Sequence, residues 1–203
     1  MPLDQRLGAI YEGDGQCRFV VWAPKAQQLD VHIHAPDERV VTLESRPHGY
    51  FEGVVSGIEP GSTYTYRLDG GDEWPDPVSR FQPDGPHGPS AVVDPNAFDW
   101  TDAAWRGVPH DRLVLYELHI GTFSPQGTFA GVIPHLEYLR DLGVTALEIL
   151  PVAQFPGERN WGYDGVALYA PQNSYGGPEG FRRLVDACHG AGLALYLDCV
   201  YNH

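Results

Sequence analysis

Residues 193–203 read "LALYLDCVYNH", an apolar run that ends on an acid and is followed by an amide and an imidazole. Nearly continuous apolar runs of this length are typical of strands in parallel sheets, whose two faces are both covered. Two similar runs precede it, "LVLYELHI" (113–120) and "VTALEILPV" (144–152). The second half of the chain is therefore expected to hold three buried parallel strands.

Helical patterns fill the two gaps between these strands. Val132, Leu136 and Leu139 recur at helical spacing before Gly143, and a second pattern begins at Pro178. Alternating strands and helices of this kind are expected at the start of a TIM (β/α)8 barrel, which takes about 250 residues. We therefore expect residues 113–203 to be the N-terminal part of such a barrel, truncated after its third strand, and the chain to belong to a longer polypeptide.

The first part of the chain has a different periodicity. In "LDVHIH" (29–34) apolar and polar residues alternate strictly, as they do in "STYTYRLDG" (62–70), and Gly- and Pro-containing turns separate such runs. This pattern predicts an antiparallel β-sandwich over residues 1–82. The Pro- and Gly-rich residues 83–112 are expected to form an interdomain linker.

Composition narrows the classes of function. Hydrophobic residues make up 42% of the chain, and the formal net charge is −14. This charge argues against nucleic acid as a partner. No signal-peptide pattern or membrane-length apolar run is present in the sequence, so we expect no membrane partner. Three scattered cysteines favour reduced thiols, and with them a cytoplasmic location.

The long segment after the second strand carries residues suited to a carbohydrate. In barrels the chemistry lies at the carboxyl ends of strands, and this segment follows such an end. Flat rings can cover a pyranose face, while amides and carboxylates bind its hydroxyls. The rings are Phe155, Trp161, Tyr163, Tyr169 and Tyr175, and the polar groups are Asn160, Asp164, Gln172 and Asn173. The alternative, that the rings only fasten the loop to the barrel rim, stays open.

The residues themselves indicate neither a cofactor nor a complete catalytic pair. His32 and His34 face the same way and could bind a metal, but a solvated strand face is the favoured interpretation. Glycoside hydrolysis normally takes two carboxyl groups. Glu117 and Glu148 lie in mid-strand and not at the strand ends. Asp164 and Asp198 are the other acids available, and the sequence does not identify a catalytic pair among the four.

Three stretches resemble the α-amylase family of glycoside hydrolases. "DCVYNH" (198–203) resembles that family's first signature at the end of the third barrel strand, and "FVVWAP" (19–24) resembles the immunoglobulin-like sandwich found before some of these barrels. Residues 116–129 and 151–181 narrow the likeness to family members that cut the α-1,4 bond next to a terminal trehalose. The resemblance implies a retaining hydrolase of an α-glucan that needs no cofactor and no metal.

The resemblance also implies roles for residues of the second loop. Tyr163 would stack on the sugar at the bond to be cleaved, and Asp164 would support the pocket. We expect the ring of Trp161 to converge on the same cavity.

The third strand end would complete that pocket. Asp198 would hold an arginine near the nucleophile, Asn202 would organise the loop, and His203 would hydrogen-bond the same sugar. The family's nucleophilic Asp and acid Glu follow later strands, so no catalytic residue is expected within this chain, and it is expected to be inactive alone.

Two alternatives remain at this point. A glycogen branching or debranching enzyme belongs to the same family, but branching enzymes typically carry Trp-Gly-Tyr-Gln where residues 161–164 read Trp-Gly-Tyr-Asp. The other alternative is a non-catalytic glucan-binding module. Its sugar platform would consist of Trp22, Tyr50, Phe51 and Trp74.

Overall fold

The chain divides between Ala97 and Phe98 into two units, each with a hydrophobic core of its own. The computed structural model describes residues 7–201. The domain limits 1–82, 83–112 and 113–203 stay a prediction beside this division.

The first unit is a sandwich of two antiparallel sheets. Its strands are β1 Gly8–Gly13, β2 Gln16–Trp22, β3 Leu29–Ala35, β4 Arg39–Thr42, β5 Glu44–Arg46, β6 Tyr50–Ser56, β7 Thr63–Leu68, β8 Glu73–Trp74 and β9 Ser90–Ala91. One sheet has the order β1-β2-β6-β5, and the other has the order β4-β3-β7-β8, with β9 also paired to β7. The predicted sandwich is confirmed.

The alternation of apolar and polar residues along β3 places its apolar side chains in the core. Leu29, Val31 and Ile33 are completely buried, and each such side chain contributes about 1.5–3 kcal/mol on burial. Across the core the ring of Tyr64 meets that of Phe19 edge to face, with centroids 5.0 Å apart. The opposite face of β3 carries the polar side chains.

Part of the Pro- and Gly-rich segment 83–112, predicted to be a linker, belongs to the sandwich. Two short strands, β8 before residues 83–112 and β9 within them, both pair with β7 at an edge, where proline is tolerated. Buried Asp76 accepts hydrogen bonds from the hydroxyls of Tyr64 and Tyr66, at 2.7 and 3.4 Å. Val92, within the predicted linker, lies in the core of the sandwich.

The second unit holds three parallel strands, β10 Leu115–Leu118, β11 Ala146–Ile149 and β14 Ala194–Leu197. They are neighbours in the sheet in that order, and helical segments lie between them along the chain. The helices are α1 Ile120–Phe123, α2 Phe129–Val132, α3 Leu136–Asp141 and α4 Gly177–Gly190. This arrangement confirms the predicted start of a (β/α)8 barrel.

Three details of this unit differ from the sequence prediction. The first strand is shorter than 113–120, because the chain already turns into α1 at Ile120. The first helix is interrupted by a 3₁₀ turn at Pro134, which lacks the N–H that a continuous helix would use. One face of the sheet is also partly open, with Leu115 and Tyr196 exposed rather than covered on both faces.

The segment that the sequence described as a long loop contains a strand pair. β12 Ala153–Gln154 and β13 Ala167–Pro171 run antiparallel beyond the carboxyl end of β11. Among residues 7–201 no helix is both long and apolar enough to cross a membrane.

Candidate functional site

A cavity of about 130 Å³ lies beyond the carboxyl ends of β11 and β14. The pair of strands β12 and β13 forms one wall of it, and the residues that follow β14 form another. Its lining includes Tyr163, Leu168, Tyr169, Phe181, Asp198 and Tyr201. The cavity therefore combines aromatic surface with a carboxylate at the end of a parallel strand.

Tyr163 and Asp198 are brought together in this cavity. Asp198 directly follows β14, and its backbone N–H donates to the carbonyl of Ile149 on β11 at 3.0 Å. Partial removal from water raises the pKa of the Tyr163 hydroxyl, and so do the charge of Asp198 and the hydrogen bond to it. The hydroxyl thus stays protonated and donates to the carboxylate, while the ring remains 43% exposed.

Two further carboxylates lie near the Tyr163–Asp198 pair, on one face of the parallel sheet. Glu117 of β10 and Glu148 of β11 are register partners on neighbouring strands, so their side chains share one face. Both carboxylates also raise the pKa of Tyr163. The charge on this face would favour a protonated or cationic group near Asp198.

Trp161 lines a second cavity rather than that of Tyr163. Its ring is 71% exposed and lies against the imidazole of His119, with centroids 5.7 Å apart. Gly162, between the two aromatic residues, has a φ of +97°, a backbone conformation that residues other than glycine rarely adopt. The turn at Gly162 therefore separates the two rings, which the sequence had placed in one cavity.

His119 is a residue that the sequence analysis did not single out. Its Nε2–H donates to the carbonyl of Asn160 at 2.7 Å, and the hydroxyl of Tyr175 lies 3.1 Å from the same nitrogen. It follows β10 directly, as Asp198 follows β14. Its position after a barrel strand was the available signal, since active groups in such barrels lie there.

Asp164 lies in the turn that carries both rings. Its carboxylate accepts from the side-chain amide of Asn160 at 3.0 Å, and the oxygen of that amide accepts from the N–H of Gly162 at 2.7 Å. Asp164 is thus placed to shape the loop. Asn202 and His203, the other two predicted binding residues, lie outside the described residues.

Gln172 does not have the role that the sequence suggested. It is completely buried, and both of its amide hydrogens donate, to the carbonyl of Gly157 and the hydroxyl of Ser174, each at 2.9 Å. Its oxygen accepts from the side chain of Gln154 at 2.8 Å and from the N–H of Phe155 at 2.9 Å. No hydrogen-bonding position remains for a sugar hydroxyl, so the expectation for Gln172 was wrong.

Gln154 extends the same buried network. Its oxygen accepts from the N–H of Asn173 at 2.9 Å, and its amide donates to the Asn173 side chain at 3.2 Å. Two register pairs join β12 to β13, and these amides add side-chain bonds between residues 154–155 and 172–173.

Replacing Gln172 by Leu in the full-length protein is expected to lower the free energy of unfolding by about 3 kcal/mol. The change leaves the buried Phe155 N–H without its acceptor and the Gly157 carbonyl without its donor, and each such group costs about 1–3 kcal/mol. Chemical denaturation followed by tryptophan fluorescence measures it. Gln126→Leu, at an exposed position of the same unit, is the control and should change stability by less than about 0.5 kcal/mol. Equal effects of the two substitutions would contradict the network's importance.

Residues 81–203 match the family model "Alpha amylase, catalytic domain". The chain belongs to the α-amylase family. Residues 6–97 match a second model, carbohydrate-binding module 48, the isoamylase N-terminal domain.

Curated relatives of this α-amylase family chain include a malto-oligosyltrehalose trehalohydrolase of Saccharolobus solfataricus, 51% identical over 91% of the chain and 32% of the relative. A 1,4-alpha-glucan branching enzyme of Xanthomonas oryzae is 36% identical over 100% of the chain and 31% of the relative. A crystal structure provisionally assigned as an alpha amylase of Salmonella typhimurium is 44% identical, with a TM-score of 0.91 over 98% of the chain and 34% of that structure. The chain spans about a third of the length of the curated relatives it matches.

Proposed function

We propose that the full-length protein cleaves the α-1,4-glucosidic bond next to the terminal trehalose of malto-oligosyltrehalose and releases trehalose. The observation that carries this proposal is the pairing of Tyr163 with Asp198 in a cavity beyond the parallel strands. The higher identity to the trehalohydrolase relative than to the branching enzyme supports the specific reaction. So does Asp164, which stands where branching enzymes typically carry Gln.

Within this proposal the exposed ring of Tyr163 covers the apolar face of the glucose at the bond to be cleaved. Asp198 fixes the Tyr163 hydroxyl and holds a cationic side chain beside the nucleophile, in keeping with the negative face at Glu117 and Glu148. Trp161, in the neighbouring cavity, contacts another part of the chain of sugars.

Asn202 and His203 complete the proposed site, with Asn202 ordering the loop and His203 donating to hydroxyls of the same glucose. The nucleophilic Asp and the acid Glu come from other parts of the full-length polypeptide. A retaining reaction then proceeds through a covalent glycosyl-enzyme intermediate. The proposed reaction uses neither a metal nor a cofactor.

The full-length protein is proposed to work in the cytoplasm, with neither nucleic acid nor membrane as a partner. Cys17 and Cys188 are buried, and burial raises the pKa of each thiol to about 12. Such thiols are inert and fit a reducing compartment. The net charge of −14 opposes binding to phosphate backbones.

Incubation with malto-oligosyltrehalose and, in parallel, with maltodextrin of the same length tests the reaction. Trehalose is expected from the first substrate alone, because only that substrate ends in trehalose. Chromatography of the products measures it. Formation of α-1,6 branches from maltodextrin would instead establish the branching activity that the 36% identical relative suggests. Binding of glucan with no turnover of either substrate would favour a non-catalytic glucan-binding module.

A further inference from the structure

We propose that His32, His34 and Glu73, on the outer face of the sandwich, form a binding site for a divalent transition-metal ion, with Zn²⁺ the best match. The three residues come from β3 and β8, which are separated in the sheet by β7. One ligand atom from each lies within 4.8 Å of the others. The proposed site uses no residue of the Tyr163 cavity and is independent of the proposed function.

The spacing of the ligand atoms suits a small ion. Zn–N and Zn–O bonds of about 2.0–2.1 Å in a tetrahedron place ligand atoms about 3.3 Å apart. Glu73 Oε2 lies 3.6 Å from His34 Nε2, and Glu73 Oε1 lies 2.6 Å from His32 Nδ1. The two distances run to different oxygens of Glu73, so the carboxylate has to rotate before one oxygen lies about 3.3 Å from both nitrogens, and a turn of the Glu73 side chain supplies that rotation.

The surrounding groups are those that orient metal ligands in proteins. With Nδ1 of His32 toward the ion, its Nε2–H faces the carboxylate of Glu38 at 3.3 Å. A ligating histidine usually donates its second N–H to such a group. The hydroxyl of Thr65 donates to Glu73 Oε2 at 2.8 Å and so orients the third ligand. Thr65 Oγ1 also lies 2.9 Å from His34 Nε2, and an ion on that nitrogen would replace this contact.

The site is also built on rigid and partly buried structure. Thr65 on β7 is the register partner of His32, so the strands fix both side chains. The side chains of His32, His34 and Glu73 are 14%, 31% and 33% exposed, so water still reaches this face of the strand.

The donor set selects the class of ion. Two imidazoles and one carboxylate are a known zinc ligand set, which leaves one position for water, and imidazole also suits Cu²⁺ and Ni²⁺. Ca²⁺ and Mg²⁺ prefer oxygen ligands alone. A bound ion would join the two-residue edge strand β8 to β3 across β7.

Calorimetric titration of the chelator-treated, tag-free full-length protein with zinc sulfate at neutral pH tests the proposal. One high-affinity equivalent is expected to disappear in His34→Ala, with affinity lowered at least about 100-fold, since losing even an outer-shell partner costs about 10–100-fold. Glu73→Gln, which keeps the side-chain shape, should lower affinity in the same way. His87→Ala, which removes an exposed histidine of the same unit, should leave binding unchanged.

Titration with Co²⁺ gives a second measurement that does not depend on activity. The parent protein and His87→Ala are expected to show a visible absorption band with the intensity typical of tetrahedral Co²⁺. His34→Ala and Glu73→Gln are expected to lack this band. Circular dichroism of each variant establishes that it is folded. Zinc uptake of equal stoichiometry and affinity in the parent and in folded Glu73→Gln would overturn the proposal, as would the absence of saturable binding in the parent.

Discussion

Replacing Asp198 by Asn in the full-length protein is expected to lower kcat for malto-oligosyltrehalose by about 100-fold, equivalent to about 2.7 kcal/mol of transition-state stabilisation. Asn keeps the size of the side chain and an oxygen that can accept from Tyr163, but it removes the charge. The proposed role of Asp198 is to hold a cationic group beside the nucleophile, and that role depends on the charge. Steady-state kinetics with trehalose as the measured product give the result.

The binding of substrate should change much less than the rate. A charge that acts on the group beside the reacting carbon contributes mainly in the transition state, so KM is expected to move by less than about threefold. Asp141→Asn, which removes an exposed acid at the last residue of α3, is the matched control and should leave kcat unchanged. A fall in kcat of less than threefold for Asp198→Asn, in a folded variant, would remove Asp198 from the proposed mechanism.

The parallel strands of the second unit could be predicted because their signal is local. Each apolar run, such as "LALYLDCV" (193–200), contains its own strand, and the turn into a helix follows from nearby Gly and Pro residues. The polar residue at the end of β14 then falls beside the end of β11, because parallel strands end at the same edge. That is how Asp198 could be placed from the sequence.

The part that could not be predicted depends on contacts between residues distant along the chain. β12 has two residues and therefore no periodicity to detect, and Gln172 is buried only because Gln154 meets it from 18 positions away. Polar residues are usually exposed unless paired, and the sequence does not show the pairing. Likewise, the solvated face assigned to His32 became a cluster when Glu73, 41 positions away, joined it.

The separation of Trp161 from Tyr163 has the same origin. The two residues lie two positions apart, and composition alone suggested a single aromatic surface. The positive φ of Gly162 directs the chain so that each ring lines a different cavity. A glycine between two aromatic residues is compatible with either arrangement, and only the backbone conformation distinguishes them.

Replacing Tyr163 by Ala in the full-length protein is expected to lower kcat/KM for malto-oligosyltrehalose by about 100-fold, because the change removes both the exposed ring and the partner of Asp198. Tyr163→Phe keeps the ring and removes only the hydroxyl. Loss of a hydrogen bond to a charged group costs about 1.5–3 kcal/mol when the group is left unpaired, and less here because water reaches the half-exposed pair. The Phe variant should therefore retain about a tenth or more of the parent kcat/KM.

The two substitutions together separate stacking from hydrogen bonding. If the ring carries the binding, the Ala variant loses at least about tenfold more than the Phe variant, and the loss appears partly in KM. Tyr138→Ala, at an exposed position of α3, is the matched control and should match the parent. Equal losses in the Ala and Phe variants would show that the ring contributes nothing, and the interpretation of Tyr163 as a sugar-stacking residue would be wrong.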